Sequence, residues 1–104
     1  MIMIVVLTTT PTELEAESLA KKIIEAKLAS CVQVLPKMKS FYFWEGELKQ
    51  EAEYLLLIKT LDEKFPKLEE FIKENHSYEL PEVVALKAER ISQRYLDWIS
   101  ESIG

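Results

Sequence analysis

The sequence predicts a single α/β (α+β) domain over residues 1–104, a ferredoxin-like split β-α-β sandwich with a long central hairpin and a C-terminal helix. Three observations predict it. Strand-like and helix-like segments follow one another in the order β-α-β-β-α-β. Two runs, Ile2 to Leu7 and Tyr54 to Ile58, are apolar without interruption, as strands covered on both faces are. Two longer stretches carry apolar residues at helical spacing with charged residues opposite.

The first strand is Ile2 to Leu7, rich in valine and isoleucine, and Thr8, Thr9, Thr10 and Pro11 are expected to break it. Thr12 can cap a helix, and Glu15 three residues later completes a capping-box pattern. Ala16, Leu19, Ala20, Ile23 and Ile24 form that helix's apolar stripe. Glu13, Glu17, Lys21, Lys22 and Glu25 lie opposite, and the helix should end near Ala29. Ser30 to Leu35 reads as a strand with Val32 and Val34 on one face and Cys31, Gln33 and Leu35 on the other. Pro36 interrupts it. Lys39 to Leu48 carries Phe41, Tyr42, Phe43 and Trp44 in succession, and aromatics favour strands. Gly46 marks a bulge or turn. Tyr54 to Ile58, ended by Lys59 and Thr60, completes a long antiparallel hairpin.

A second helix is expected from about Leu61 to His76. Pro66 belongs in a first helical turn, where its missing N–H is tolerated, which moves the start to about Lys64. Leu68, Phe71, Ile72 and Phe65 form its stripe. A loop, Ser77 to Pro81, leads to a strand over Glu82 to Ala88. Ser92 to Ile103 repeats Tyr95, Leu96, Trp98 and Ile99 at helical spacing. Two helices cover one face of such a sheet, yet at least two strands are apolar on both. A partner subunit is the simplest cover for the second face, with the hairpin available to pair across the boundary.

Composition limits the function classes. The chain has 104 residues, 48% of them hydrophobic, more than so small a domain needs for its own core. Thirteen basic against 18 acidic residues give a net charge of −5, with no long basic run. That opposes nucleic-acid binding, which rests on neutralising phosphates, and opposes anionic membrane surfaces. It is compatible with cations. One cysteine, Cys31, excludes an intrachain disulfide framework. The N-terminus lacks a basic signal-like region, and no apolar run approaches the roughly 20 residues that span a bilayer. A cytoplasmic protein is the expectation.

Few residues bear obvious chemistry. His76 is the only histidine. Imidazole is a good ligand for Cu(II), zinc and nickel, and Glu79 and Glu82 stand near in sequence to supply carboxylates. The alternative is a histidine favoured at a helix end by the helix dipole. Cys31 offers a thiolate for Cu(I), against the alternative of a small buried hydrophobe. Tyr42, Trp44, Glu53, Lys59, Tyr78 and Glu82 are polar or amphipathic residues within apolar segments. They read either as a binding constellation, with Lys59 pairing Glu53, Glu82 or an anion, or as interface packing with an ion pair. An enzyme is not expected: His76 is the only base for a nucleophile, and Gly46 is the only internal glycine, so no phosphate loop exists. No zinc-type Cys/His spacing is present, and no organic cofactor is implied.

Three stretches resemble the CutA, or divalent-cation tolerance, family. They are Ala29-Ser30-Cys31-Val32, then Ser40-Phe41-Tyr42-Phe43-Trp44-Glu45-Gly46 with Glu53 and Lys59-Thr60, and His76-Ser77-Tyr78-Glu79-Leu80-Pro81-Glu82-Val83. Tyr95 and Trp98 are similar to the family's C-terminal aromatic pair. The resemblance implies a homotrimer of ferredoxin-like subunits akin to the P-II signalling proteins, a link to copper and other divalent metals, and no catalytic reaction. It implies that Tyr42, Trp44, Glu53, Lys59 and Tyr78 line a cleft between subunits. It also implies copper ligands in the first-strand turn and at a histidine pair, as in enterobacterial members, but here Thr8 stands at the turn in place of cysteine, Asn75-His76 replaces the pair, and Ser77 replaces a proline. The copper site therefore does not carry over whole. The expected function is a trimeric, copper-binding divalent-cation tolerance protein. The alternatives are a small-molecule sensor that takes an anion in the inter-subunit clefts, or an interaction scaffold.

The charged residues are mostly Glu and Lys, with one Asn and two Gly. This composition is that of a heat-stable protein. A melting midpoint above the about 45–65 °C of ordinary domains is expected by scanning calorimetry, and a midpoint inside that range contradicts the reading.

Overall fold

The computed structural model describes residues 1–103. Its elements are β1 (Met3–Thr10), α1 (Glu13–Glu25), β2 (Cys31–Val34), β3 (Met38–Trp44), β4 (Glu47–Leu61), a 3-10 turn (Asp62–Lys64), α2 (Phe65–Glu74), β5 (Val84–Lys87) and α3 (Gln93–Ile103). All strand pairs are antiparallel, in the order β2-β4-β1-β5 with β3 also on β4. This is the predicted split β-α-β sandwich with its added C-terminal helix.

β4 organises the sheet. It runs for 15 residues and pairs with three strands. Lys59 and Thr60 do not end it: they pair with Val5 and Ile4. Thr8, Thr9 and Thr10 likewise continue β1 rather than break it, opposite Leu56, Leu55 and Tyr54. Threonine is β-branched and suits a pleated, half-buried surface, and a long partner strand extends the pairing. The hairpin closes at Glu45-Gly46, where φ values of 52° and 79° form a two-residue turn of the primed type. β3 therefore stops at Trp44, short of the expected Leu48.

β2 and β3 are one strand interrupted at Pro36. Val34 pairs with Leu56, and Met38 pairs with Glu53. Three residues, Leu35 to Lys37, thus oppose two, Tyr54 and Leu55, which is the count of a β-bulge. Pro36 cannot donate to the ladder, and its neighbour Leu35 does so instead, to Leu55 O at 2.9 Å. The extra residue exchanges the faces of β3 relative to β2.

The main core lies between the sheet and the first two helices. Ile4, Val6, Leu56 and Ile58 meet Ala16, Leu19 and Ile23 of α1 and Leu68 and Ile72 of α2. Thr12 caps α1 through its hydroxyl, which accepts from Glu15 N–H at 3.1 Å. α1 ends at Glu25, earlier than Ala29, and Lys27 adopts φ 57° in the turn that follows. Pro66 sits in the first turn of α2, as expected. Thr60 donates its hydroxyl to Leu28 O at 2.8 Å and so ties that turn to the sheet.

The second sheet face is covered in part by the chain itself. Ile99 and Ile103 of α3 pack on Met3 and Leu61. Trp98, expected in this stripe, is exposed and stacks on Tyr95 with ring centres 5.6 Å apart. Beyond α3, Leu7, Leu55 and Leu57 are half-buried, and Val84 and Leu86 of β5 are exposed. The hairpin projects past both helices, giving a molecule 45 Å long and about half as wide.

Candidate functional site

Glu53 lines a large cleft. It lies on β4 opposite Met38, just beyond the end of β1. The residue is only 8% exposed. A buried carboxylate needs donors, and it has two on one oxygen. Thr9 Oγ1–H donates to Oε2 at 3.1 Å, and Tyr78 Oη–H donates to the same atom at 2.8 Å. Among the described residues Oε1 receives no hydrogen bond, and Glu53 is one of the residues that line the cleft.

The loop after α2 positions Tyr78. His76 holds both ends of the arrangement. Its Nε2 lies 2.6 Å from Thr9 O, which can only accept, so Nε2 carries the proton. Tyr78 N–H donates to Nδ1 at 3.0 Å, so that atom offers its lone pair. The two hydrogen bonds select one neutral tautomer. The His76 and Tyr78 rings are 4.9 Å apart. Ser77 donates its N–H and hydroxyl to Glu15 at 3.1 and 3.0 Å. Glu15 therefore holds the loop and not the α1 N-terminus, so only half of the predicted capping box forms.

The other wall is the hairpin. Directly opposed residues share a face. Ser40, Tyr42 and Trp44 oppose Glu51, Lys49 and Glu47, and all stand on the face of Glu53. Phe41, Phe43 and Leu48 project on the opposite face and are exposed. The cleft so formed has a volume of about 810 Å³. Tyr42, Trp44 and Tyr78 line it, together with Glu51, Glu53, Glu79 and Glu82. Lys49 is its one cation and reaches Glu47 at 3.3 Å. The cleft carries more carboxylates than amines. Burial, the hydrogen bond to Glu53 and the Glu53 charge push Tyr78 well above its ordinary value. Partial burial and the nearby Glu51 push Tyr42 up as well. Both remain hydrogen-bond donors at neutral pH.

The structure brings together Tyr42, Trp44, Glu53, Tyr78 and Glu82 from the sequence-based set. Lys59 is not with them. It stands over the Tyr95 ring, 5.8 Å from its centre, and pairs across the sheet with Cys31. It lies six residue steps along β4 from Glu53, about 20 Å at the rise of a strand. Cys31 is thus remote from His76 and Glu82 within one chain. Both nitrogens of His76 are engaged, so a metal would have to displace the Tyr78 amide. Among the described residues, no group of three or more His, Cys, Asp or Glu is placed to hold a metal ion. Sequence reasoning missed Thr9, read as a strand breaker, and Glu51. The period-two alternation Glu47-Lys49-Glu51-Glu53 carried the signal for Glu51.

Residues 4–102 match the family model described as CutA1 divalent ion tolerance protein. A divalent-cation tolerance protein CutA of Thermus thermophilus is 45% identical over 100 residues, covering 96% of this chain and 97% of that protein. Its counterpart in Archaeoglobus fulgidus is 41% identical, covering 91% and 92%. The solved structure of the A. fulgidus protein superposes with a TM-score of 0.95 at 37% identity, over 98% of this chain and 99% of that one. The CutA1 structure from Oryza sativa gives 0.95 at 42%, over 97% and 93%.

Tyr78→Phe tests the Glu53 network. It removes one hydrogen bond to a charged acceptor, and a loss of about 1–3 kcal/mol at pH 7 is expected by denaturant titration at fixed chain concentration. The pH dependence has a definite sign. The folded chain holds the Tyr78 proton more tightly than the unfolded chain, whose phenol has the ordinary value of 10.0. The contribution is complete below pH 10.0 and falls as pH rises past it, because the unfolded chain releases its proton first. Wild type should lose stability more steeply than Tyr78→Phe in that range; parallel curves would exclude the network as drawn.

Proposed function

We propose, on the premise that this chain belongs to the CutA1 divalent ion tolerance family, that it is a non-catalytic homotrimer that binds divalent cations, copper(II) foremost, in the response to metal ions. One observation carries the cation reading: four glutamates against one lysine line the cleft at Glu53. Carboxylates attract divalent cations, and Cu(II) stands at the top of the divalent affinity order. In one chain the donors do not converge on a point. Glu53 and Glu82 are the carboxylates on hand, and His76 becomes a ligand only by releasing the Tyr78 amide from Nδ1. Cys31 takes part only if a neighbouring subunit brings it near. The names of the relatives, divalent-cation tolerance proteins, point the same way.

Assembly is supported by apolar surface that the chain does not cover. Phe43 is 75% exposed and Leu86 53% exposed, at opposite ends of the sheet. Phe41, Phe43 and Leu48 form one exposed apolar patch on the outer face of the hairpin, and Val84 and Leu86 form another on β5, and such patches mark interfaces. Other copies of the chain are the simplest cover, and symmetric closure is the usual outcome. The cleft's charge speaks against the alternative of an anion sensor. Lys49 is bound to Glu47, and Lys59 lies outside.

Light scattering after gel filtration should give three times the 12.1 kDa chain mass, and Leu86→Glu should lower it. A monomer at micromolar concentration would refute the trimer. Calorimetric titration with Cu(II) against a weak competing chelator should give a defined stoichiometry per chain, weakened about tenfold or more in Glu53→Gln. Equal, unsaturable heats in both proteins would mean incidental surface binding.

A further inference from the structure

We propose that the Glu53 cleft is a binding site for a small organic ammonium ion, an amine or quaternary ammonium compound held between aromatic walls and carboxylates. This goes beyond metal binding and does not depend on it. The first observation is size. About 810 Å³ is the space of a small-molecule site, not of a bare ion. The second is the sign of the charge. Glu51, Glu53, Glu79 and Glu82 face a single Lys49 that already has a carboxylate partner. An anionic ligand is repelled by such a lining, and a cation gains more from it than a neutral ligand does.

The third observation is the aromatic content. Tyr42 and Trp44 stand two apart on one face of β3, and Tyr78 lines the cleft from the loop after α2. Aromatic faces attract cations, Trp and Tyr among them, and quaternary ammonium groups are characteristically held in such surroundings. Metal ions have no comparable use for these rings. The fourth is the state of Glu53. The residue is only 8% exposed, and its Oε2 accepts from both Thr9 and Tyr78. Its Oε1 has no hydrogen-bond donor among the described residues, and Glu53 is one of the residues that line the cleft. An ammonium N–H, or the positive surface of a methylated nitrogen, supplies what that oxygen lacks. The Tyr78 phenol spends its proton on Oε2, which leaves its oxygen free to accept from a ligand. The site is also rigid on one side, because His76 and Glu15 fix the loop that bears Tyr78.

The test uses the full chain in its native assembly, in phosphate buffer with EDTA so that metal binding is absent. Choline and 1,4-diaminobutane are titrated by calorimetry, with 3,3-dimethylbutan-1-ol as the neutral isostere of choline. At least one cation should bind saturably and more weakly as salt is raised, while the neutral isostere should not bind. Glu53→Gln should weaken binding about tenfold or more, consistent with loss of a charge-assisted contact. Trp44→Leu, at an exposed hairpin position, should weaken it several-fold and keeps the test valid if Glu53→Gln fails to fold. The proposal is overturned if neither cation binds saturably up to tens of millimolar, if the isostere binds as well as choline, or if both variants bind like wild type. The Cu(II) titration is separate, so either idea can fail while the other stands.

Discussion

Leu35, Pro36 and Lys37 face only Tyr54 and Leu55, and this one extra residue decides what lies beside Glu53. Side chains alternate along a strand, so a shift of one residue moves every one of them to the other face. Had the register of β2 continued unbroken, Phe41 and Phe43 would oppose Lys49 and Glu47 of β4, and Tyr42 and Trp44 would point away. With the bulge, the hydroxyl- and indole-bearing residues join the carboxylates, and the two phenylalanines occupy the outer face. The position of Pro36 makes the bulge cheap, because a proline has no N–H to leave unpaired when the ladder skips.

Glu53 then fixes the remaining wall. A carboxylate buried to this degree is costly without donors, and bonds to a charged acceptor are worth about 1.5–3 kcal/mol each. Thr9 and Tyr78 provide two. Tyr78 can serve only if the loop after α2 returns to the end of β1. His76 secures that return from within, bridging Thr9 O and the Tyr78 amide, and Ser77 secures it from outside through Glu15. The single histidine thus has a structural occupation that accounts for both of its nitrogens. Protonation or metal binding at Nδ1 would compete with the same amide that aims the phenol.

The elements governed by local chemistry were legible in the sequence. Thr12 capping α1 and Pro66 in the first turn of α2 formed as read, and the stripes Ala16-Leu19-Ala20-Ile23 and Phe65-Leu68-Phe71-Ile72 face the core, but Ile24, read into the first stripe, is 40% exposed. Elements decided by a distant strand were not. Thr8 to Thr10 looked like a break because three polar residues precede a proline, yet β4 extends far enough to pair each of them. Lys59 looked like a cleft residue because it closes an apolar run. Its place on a strand that continues through it puts it a long way from Glu53. Period-two patterning gives the face of a strand residue but not its neighbours across the sheet, and the bulge at Pro36 is invisible without the partner's register. Glu15 shows the same limit on a helix. The capping-box pattern was present, but Ser77, 62 residues away, offered its carboxylate two better-placed donors.

The hairpin joins the two proposals through a mechanical constraint. Past Glu53, β3 and β4 pair only with each other, with no helix beneath them. A two-stranded ribbon is marginally stable in water, so the wall that bears Tyr42 and Trp44 is the least supported part of the cleft. Its outer face carries Phe41, Phe43 and Leu48, all exposed. Burying that face against neighbouring copies would hold the ribbon in place, and with it the geometry of the inner face. A ligand gripped between Trp44 and Tyr78 would tie the ribbon to the body from the other side. Each event removes freedom that the other would otherwise have to remove, so association and ligand binding should favour one another, and by linkage the effect is reciprocal.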